Sequence, residues 1–566
     1  MTRLVNTPSD FPSEALRGFV AANRRYVKPV HGGVVRSTAT PQGKVAVVYG
    51  GGSGHYPAFA GWVGHGFADG AVCGNIFSSP SGGQAYSVLK AAERGAGVLI
   101  GFGNYAGDVL HFGQAIERLR AEGIDADTLV VTDDIASGSV EEIEKRRGIA
   151  GDFPIFKITG AAAEAGLSFD EVKRVFAKAN AATRSFGVAF AGCTLPGAKE
   201  PLFTVPAGKM GIGLGIHGEP GVDEADLGTA NEVADTLVEG LLKERPADGN
   251  NRVVAIINGL GATKYEELFV VTARVEEALK EAGVECADIE SGEFVTSLDM
   301  AGISLTLVWV DDELLDYWNA PCDSPAYRKG SVGEVARDDA AVNQEALAVE
   351  ISAVGSPESQ AVARTVADVL DEIAQMLEGA QDDLGKLDAV AGDGDHGIGM
   401  ANGARAAAKA ARGIADQGGG AQTLLNAAGN AWSDGAGGTS GALWGAMLTA
   451  FGSVLTDQEA VTTETLLEAA TAAVSAVQRL GGAQVGDKTL VDALVPAREA
   501  FASSSGDLGT RLQAAAQAAD KGADSTKALK AKLGRARPLG EKSIGTPDPG
   551  AVSLSLVIDL LAGKAR

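Results

Sequence analysis

Cysteine is scarce in this chain. Four thiols, Cys73, Cys193, Cys286 and Cys322, are spread over 566 residues without metal-ligand spacing. That excludes a disulfide scaffold and a cysteine-built zinc site, and it fits a reducing compartment. Runs of Lys and Arg are missing as well. The formal net charge of −25 argues against nucleic acid and anionic membrane surfaces as partners. No stretch approaches the roughly 20 uninterrupted apolar residues of a membrane span. The opening residues, MTRLVNTPSDFPSEALRG, lack the apolar core of a signal peptide. The expectation is a soluble, cytoplasmic protein. Histidine is limited to six residues, and three of them, His55, His217 and His396, stand in glycine-rich stretches.

Glycine is what the chain has in plenty. Its 76 residues are dispersed, which points to many tight turns near ligands rather than to low complexity. A chain of this length exceeds one compact core, so two or more domains are expected. Residues 1–325 alternate apolar runs (Val45–Tyr49, Val98–Ile100, Leu129–Val131, Val188–Ala191, Val253–Ile257, Ile303–Val310) with helical patterns such as 83–93, 112–122, 169–182 and 272–281. This predicts an α/β domain with a largely parallel or mixed sheet. Residues 326–357 are polar and weakly periodic and read as a linker. From 358 to 566 the pattern is Ala-rich at three-and-four spacing, at 401–414, 420–431, 441–455, 463–479, 489–504, 508–522, 524–532 and 551–561. That predicts an all-α domain.

The densest chemistry lies in LDAVAGDGDHG, 387–397. Asp388, Asp393 and Asp395 fall within eight residues, glycines 392, 394 and 397 interrupt any helix, and His396 follows. Such a run reads as a tight loop. Three anionic groups so close repel one another unless a cation lies among them, and hard oxygen donors suit Mg²⁺, which brings phosphates. An acidic loop can also be a plain solvated turn. In the first domain, the strand Val45–Tyr49 runs into Gly50-Gly51-Gly52-Ser53-Gly54-His55, a ligand loop or a tight turn. A second loop, Gly103 to Asp108, follows the run at 98–100, where open α/β sheets bind ligands. Asp108 reads as a general base or as a helix N-cap. A third loop, 211–221, packs His217 among glycines, so that a ligand can approach its ring.

Together these residues resemble the dihydroxyacetone kinase family in its single-chain, ATP-dependent form. The matching stretches are GGGSGH (50–55), NYAGD (104–108), GAAAEAGLS (160–168), GLGIHGEPG (213–221), TSLDMAGISLTL (296–307), LDAVAGDGDHG (387–397), GGTSGAL (437–443), GDKTLVDAL (486–494) and EKSIGTPDPGAVS (541–553). Nine motifs in the expected order span nearly the whole chain.

The resemblance implies a ketose-binding α/β domain followed by a helical barrel that binds nucleotide. It implies that His217 holds the substrate's ketone carbon as a hemiaminal. An imidazole nitrogen adds to a carbonyl but not to an alcohol, so polyols are rejected by reaction rather than by fit. Asp108 is then the general base for the reacting hydroxyl and His55 helps orient it. Gly52, Ser53, Ser79, Gly103 and Tyr56 border the pocket. In the helical domain, Asp388, Asp393 and Asp395 are to hold two Mg²⁺ ions bridging the ATP phosphates. His396, Gly437, Gly438, Thr439, Ser440, Gly486, Asp487, Asp548 and Gly550 are to surround the nucleotide, although Thr439 and Ser440 also suit plain helix caps. The family pattern has Glu where this chain has Tyr56 and Lys where it has Gly103, so a longer ketose such as erythrulose is a candidate substrate. The family also implies a homodimer in which one chain's helical domain caps the partner's substrate domain. Two other readings are an FAD-AMP lyase releasing a cyclic flavin phosphate, which needs the aspartates but not His217, and a non-catalytic ketose sensor, which could dispense with the aspartates.

Overall fold

The computed structural model describes residues 4–217, 219, 221–246, 250–338, 354–537 and 539–564. The chain divides into two compact units, Met1–Ala346 and Leu347–Arg566. Of the stretch read as a linker, residues 339–353 lie outside the described residues. Before them, Tyr327 is buried, Arg328–Lys329 pairs with Cys322–Asp323, and Arg337 bridges to Thr38.

The first unit holds two six-stranded mixed sheets. One contains β1 (Val27–Val30), β2 (Gly33–Arg36), β3 (Ala46–Ser53), β4 (Gly70–Ile76), β5 (Val98–Gly103) and β6 (Ala126–Val131), in the order β1-β2-β4-β3-β5-β6. Strands β4, β3, β5 and β6 run parallel to one another, and β4 pairs antiparallel with β2. Their apolar runs are continuous because both faces are covered. Val48, Val72 and Ile100 pack with Phe112 on one side, and Val47, Tyr49 and Leu99 pack with Phe156 on the other. Phe156 belongs to the helix Asp152–Glu164, in which every residue from Asp152 to Ala163 is buried.

The second sheet contains β7 (Thr183–Ala191), β8 (Lys209–Ile212), β9 (Asp223–Asp226), β10 (Arg252–Gly259), β11 (Glu285–Gly292) and β12 (Ala301–Trp309), in the order β11-β10-β12-β7-β8-β9. Only β10 and β11 pair in parallel. The helices Ala230–Leu242 and Tyr265–Glu281 cover it with Leu237, Leu241, Leu268 and Val275.

The second unit is helical, with no strand among its described residues. Its helices are Pro357–Gly379, Gln381–Asp388, His396–Asp416, Ala421–Ala436, Gly438–Val454, Thr463–Gly481, Val491–Ser503, Leu508–Ser525 and Pro549–Lys564. Small side chains such as Ala363, Ala404, Ala408 and Ala428 let the helices approach closely, and stacked Trp432 and Trp444, 4.7 Å apart, fill the wider core.

Three expectations need correction. Glycines 50–52 are not loop but the end of β3. A side chain there would strike Val72 from Gly50, the Phe59 ring from Gly51 and the Phe77–Ser78 backbone from Gly52, each within 2.9 Å, so the glycines serve close packing. The acidic stretch is not one loop either. Asp388 ends a helix, and both His396 and Gly397 lie inside the next one. Finally, 524–532 is not a helix. The chain leaves the helix Leu508–Ser525 through a single tight turn, Thr526–Ala528, where the Thr526 hydroxyl donates to the Ala523 carbonyl and accepts from the Asp548 N–H.

Candidate functional site

In the first unit two of the residues expected around the ketose, His55 and His217, lie side by side. Strands β8 and β9 form a hairpin in which Ile212 pairs with Asp223, and His217 stands on its connection. The His55 ring lies 4.7 Å from the His217 ring, Tyr105 4.3 Å and Phe77 5.6 Å, all edge-to-face. Phe77 also stacks on His55. His55 is buried, and its Nδ1 is 2.8 Å from the Thr296 carbonyl oxygen. A carbonyl only accepts, so Nδ1 carries the proton and Nε2 keeps its lone pair. Asp108 is buried in the first turn of the helix Ala106–Ala121. The N-cap position is Tyr105, so Asp108 is the third helical residue and not the cap.

The neighbours expected to border this pocket separate into two kinds. Gly52 touches the 77–78 backbone, Ser53 donates to the Gly74 carbonyl at 2.6 Å, and Ser79 is buried on the same segment. Gly103 and Tyr56 behave differently. A Cβ on Gly103 would come within 2.9 Å of the Gly148 carbonyl oxygen, so glycine there lets two backbones touch. Tyr56 is half exposed and packs its ring edge-on against Phe19, 6.0 Å away. The ring contacts at His217 come from Tyr105 and Phe77 instead.

In the second unit, oxygens of Asp388, Asp393 and Asp395 lie within 4.8 Å of one another. The helix Gln381–Asp388 supplies the first, the connection the second, and the residue before the helix His396–Asp416 the third. Asp388 Oδ2 also accepts the His396 N–H at 3.3 Å. The Arg535 guanidinium pairs with Asp393 and lies 3.6 Å from Asp395. A cationic group already lies against two of the three carboxylates, and the donors are hard oxygens. The residues therefore fit Mg²⁺.

Of the remaining candidates, His396 and Asp548 adjoin Asp388, and Ser440 adjoins His396. His396 is buried, with Nδ1 3.2 Å from Ser440 Oγ and Nε2 3.0 Å from Ser553 Oγ. Burial keeps its pKa below the ordinary value, against the pull of Asp388 and the Pro549 backbone, so the ring is neutral. Gly437 and Gly438, both at positive φ, open the helix Gly438–Val454. Thr439 and Ser440 lie inside that helix and make no capping bond, which removes the plain-cap reading. Gly486 donates to Asp492, and Asp487 accepts from Lys532 at 3.0 Å. Asp548 accepts the Ala551 N–H at 2.8 Å, and its Oδ2 would lie 3.0 Å from a Cβ at Gly550, a tight contact. Burial pushes its carboxyl up to about 7.

The domains match known families in the same order. A Dak1 domain model matches residues 17–326 and a DAK2 domain model matches residues 390–563. The crystal structure of the C. freundii dihydroxyacetone kinase with AMP-PNP and Mg²⁺ aligns with 100% of this chain and 99% of its own, at 29% identity and a TM-score of 0.54. The chain belongs to the dihydroxyacetone kinase family. Within that family it is 55% identical to an L-erythrulose 1-kinase of Mycolicibacterium smegmatis, over 99% of both chains. It is 52% identical to a D-erythrulose kinase of the same organism, over 98% of this chain and 97% of that one.

Several residues at these sites escape a reading of the sequence. Phe77 lies outside the nine matching stretches, and only the fold carries its ring to His217. Ser553 could have been found, because it lies three residues after Gly550 at the start of an apolar helix. Lys488, inside GDKTLVDAL, is another. Its ammonium donates to the carbonyls of Leu529, Ser543 and Thr546, and so ties down the chain on either side of the Arg535 turn. Among the described residues, no helix is long and apolar enough to cross a membrane.

Proposed function

We propose that this member of the dihydroxyacetone kinase family transfers the γ-phosphate of ATP to a terminal hydroxyl of a short-chain ketose in the cytoplasm, with erythrulose ahead of dihydroxyacetone. The chain is an ATP-dependent kinase with an alcohol acceptor. The observation that carries the proposal is the pairing of a buried histidine cluster in one unit with a three-carboxylate cation site in the other. The preference for erythrulose rests on the substrates in the names of its relatives at 52–55% identity.

In this reading His217 binds the ketone carbon through a nitrogen, which fixes the substrate and presents its hydroxyl. Asp108 takes the hydroxyl proton as general base, and the His55 Nε2 lone pair accepts from the substrate and orients it. The N-terminus of the helix Gly438–Val454 would turn backbone N–H groups toward phosphate oxygens. His396, buried and neutral, holds Ser440 in that turn. Gly486, Asp487, Asp548 and Gly550 border the nucleotide. Two Mg²⁺ ions on Asp388, Asp393 and Asp395 would neutralise phosphate charge, which is most of what phosphoryl transfer requires. The active species is a homodimer with cross-chain contact between units.

A coupled assay for ADP release with dihydroxyacetone, D-erythrulose and L-erythrulose tests this. Turnover with erythrulose at the higher kcat/KM is expected. Absence of turnover with all three ketoses would refute the proposal.

A further inference from the structure

We propose that Glu219, braced by Arg147 and Asp134, is the positioning residue that makes Nε2 the nucleophilic nitrogen of His217. The inference rests on the reading of His217 as the ketone-binding group.

Both oxygens of the Glu219 carboxylate are turned to this one histidine. Oε2 accepts the His217 backbone N–H at 2.9 Å, and Oε1 lies 3.6 Å from the ring Nδ1. The carboxylate is nearly buried, with 8% of its side chain exposed. A buried carboxylate is costly unless a cation meets it. Arg147 supplies one, with Nη1 4.0 Å from Oε1. Arg147 is itself fixed: Nε donates to Asp134 Oδ2 at 3.0 Å and Nη2 to the Gly213 carbonyl at 3.3 Å. Asp134 is fully buried and also caps the turn at 135–137 through the Ala136 N–H. Burial opposes the Arg147 charge, but Asp134 and Glu219 outweigh it and raise its pKa. The arrangement depends on Gly215, where a Cβ would lie 2.1 Å from Glu219 Oε2 and 2.8 Å from Arg147 Nη1.

A carboxylate facing Nδ1 selects the tautomer with the proton on Nδ1 and the lone pair on Nε2. That lone pair forms the bond to the ketone carbon while the carbonyl π pair moves to oxygen. The oxygen gains a proton from solvent, the ring becomes cationic, and Glu219 either pairs with the Nδ1 proton or takes it up. In either case one proton is taken up from solvent, because the Nδ1 proton stays on the protein. At 3.6 Å the contact in the free protein is electrostatic, and it tightens when the ring acquires charge.

The test uses the full-length chain with [2-¹³C]dihydroxyacetone as probe. Wild type is expected to move the bound ketone carbon from the carbonyl region to the tetrahedral region of the ¹³C spectrum. Glu219→Gln keeps an oxygen for the His217 N–H but loses the charge. It is expected to lose the tetrahedral signal and to lower ketose kcat/KM roughly 10- to 100-fold, with KM for ATP unchanged and partial recovery in Glu219→Asp. A wild-type tetrahedral signal in Glu219→Gln would overturn the proposal and leave Glu219 as a loop clasp. A wild type without the signal would instead refute the hemiaminal reading on which the inference rests. The tautomer provides a second test that needs no change at Glu219. In ¹⁵N-histidine spectra, assigned by difference against His217→Asn, the free wild type is expected to show a protonated Nδ1 and an unprotonated Nε2. The reverse pattern would overturn the proposal.

Discussion

Asp393 is buried and Asp548 half-buried in the helical unit, and their surroundings give the two carboxyl groups opposite duties. Asp393 meets a cation, Arg535, beside two further carboxylates. Asp393→Asn removes one anionic donor from a site built for Mg²⁺. It is expected to lower kcat by about 10²–10³ and to raise the Mg²⁺ concentration needed for half-maximal turnover, with the circular-dichroism spectrum unchanged. Wild-type turnover would mean the triangle is a solvated turn. Burial raises Asp548 from 3.8 to about 7 against the hydrogen bond from Ala551 N–H, with Asp388 and Asp492 adding to the rise and Lys488 opposing it. Below about pH 4 folded and unfolded chains both hold this proton. As the pH climbs towards 7 the unfolded chain has released it and the folded one has not, so stability falls across that window and levels off above it. The shift corresponds to roughly 4 kcal/mol at most. Asp548→Asn retains an acceptor for Ala551 and removes the titration. Its melting temperature is expected to fall less than that of wild type between pH 5 and pH 8, and an equal fall would show that Asp548 ionises normally.

At the scale of elements, one glycine controls the geometry of the carboxylate triangle. A Cβ on Gly397 would lie 2.0 Å from the Gln381 carbonyl oxygen. The helix carrying Asp388 and the helix led by Asp395 are in backbone contact at that point. Alanine in a helix interior normally stabilises by roughly 0.5–1 kcal/mol. Here Gly397→Ala is expected to push the two helices apart and weaken Mg²⁺ binding at least tenfold while helix content is retained. Isothermal titration with Mg²⁺ and nucleotide measures this, and unchanged affinity would place the metal elsewhere. The same glycine shows what the sequence hides. Its motif was legible, and so were the three aspartates and the α/β-then-α order, because apolar periodicity and clustered charge are local signals. A glycine that permits a turn and one that permits contact between elements read alike. Glycines 50–52 and 397 therefore pass for loop residues until the partners that crowd them are known. Short strands such as β1, β2, β8 and β9 escape for a related reason: four residues are too few for a period to register.

At the scale of the molecule, His217 and the three aspartates belong to different compact units, so the proposed reaction would bring two units together. The proposed cross-chain homodimer makes a prediction that a within-chain arrangement does not. His217→Ala inactivates only the first unit and Asp393→Ala only the second. In a mixed dimer with cross-chain sites, one site combines both lesions and the other combines two intact units. If subunits exchange at random, half the dimers are mixed and each has one working site of two, so about a quarter of wild-type activity should appear on mixing the two inactive proteins. Mixing after unfolding and refolding, or by co-expression, ensures exchange, and the mass in solution reports the dimer. A dimer without recovered activity would assign catalysis to two units of one chain. A monomer with full activity would remove the partner altogether.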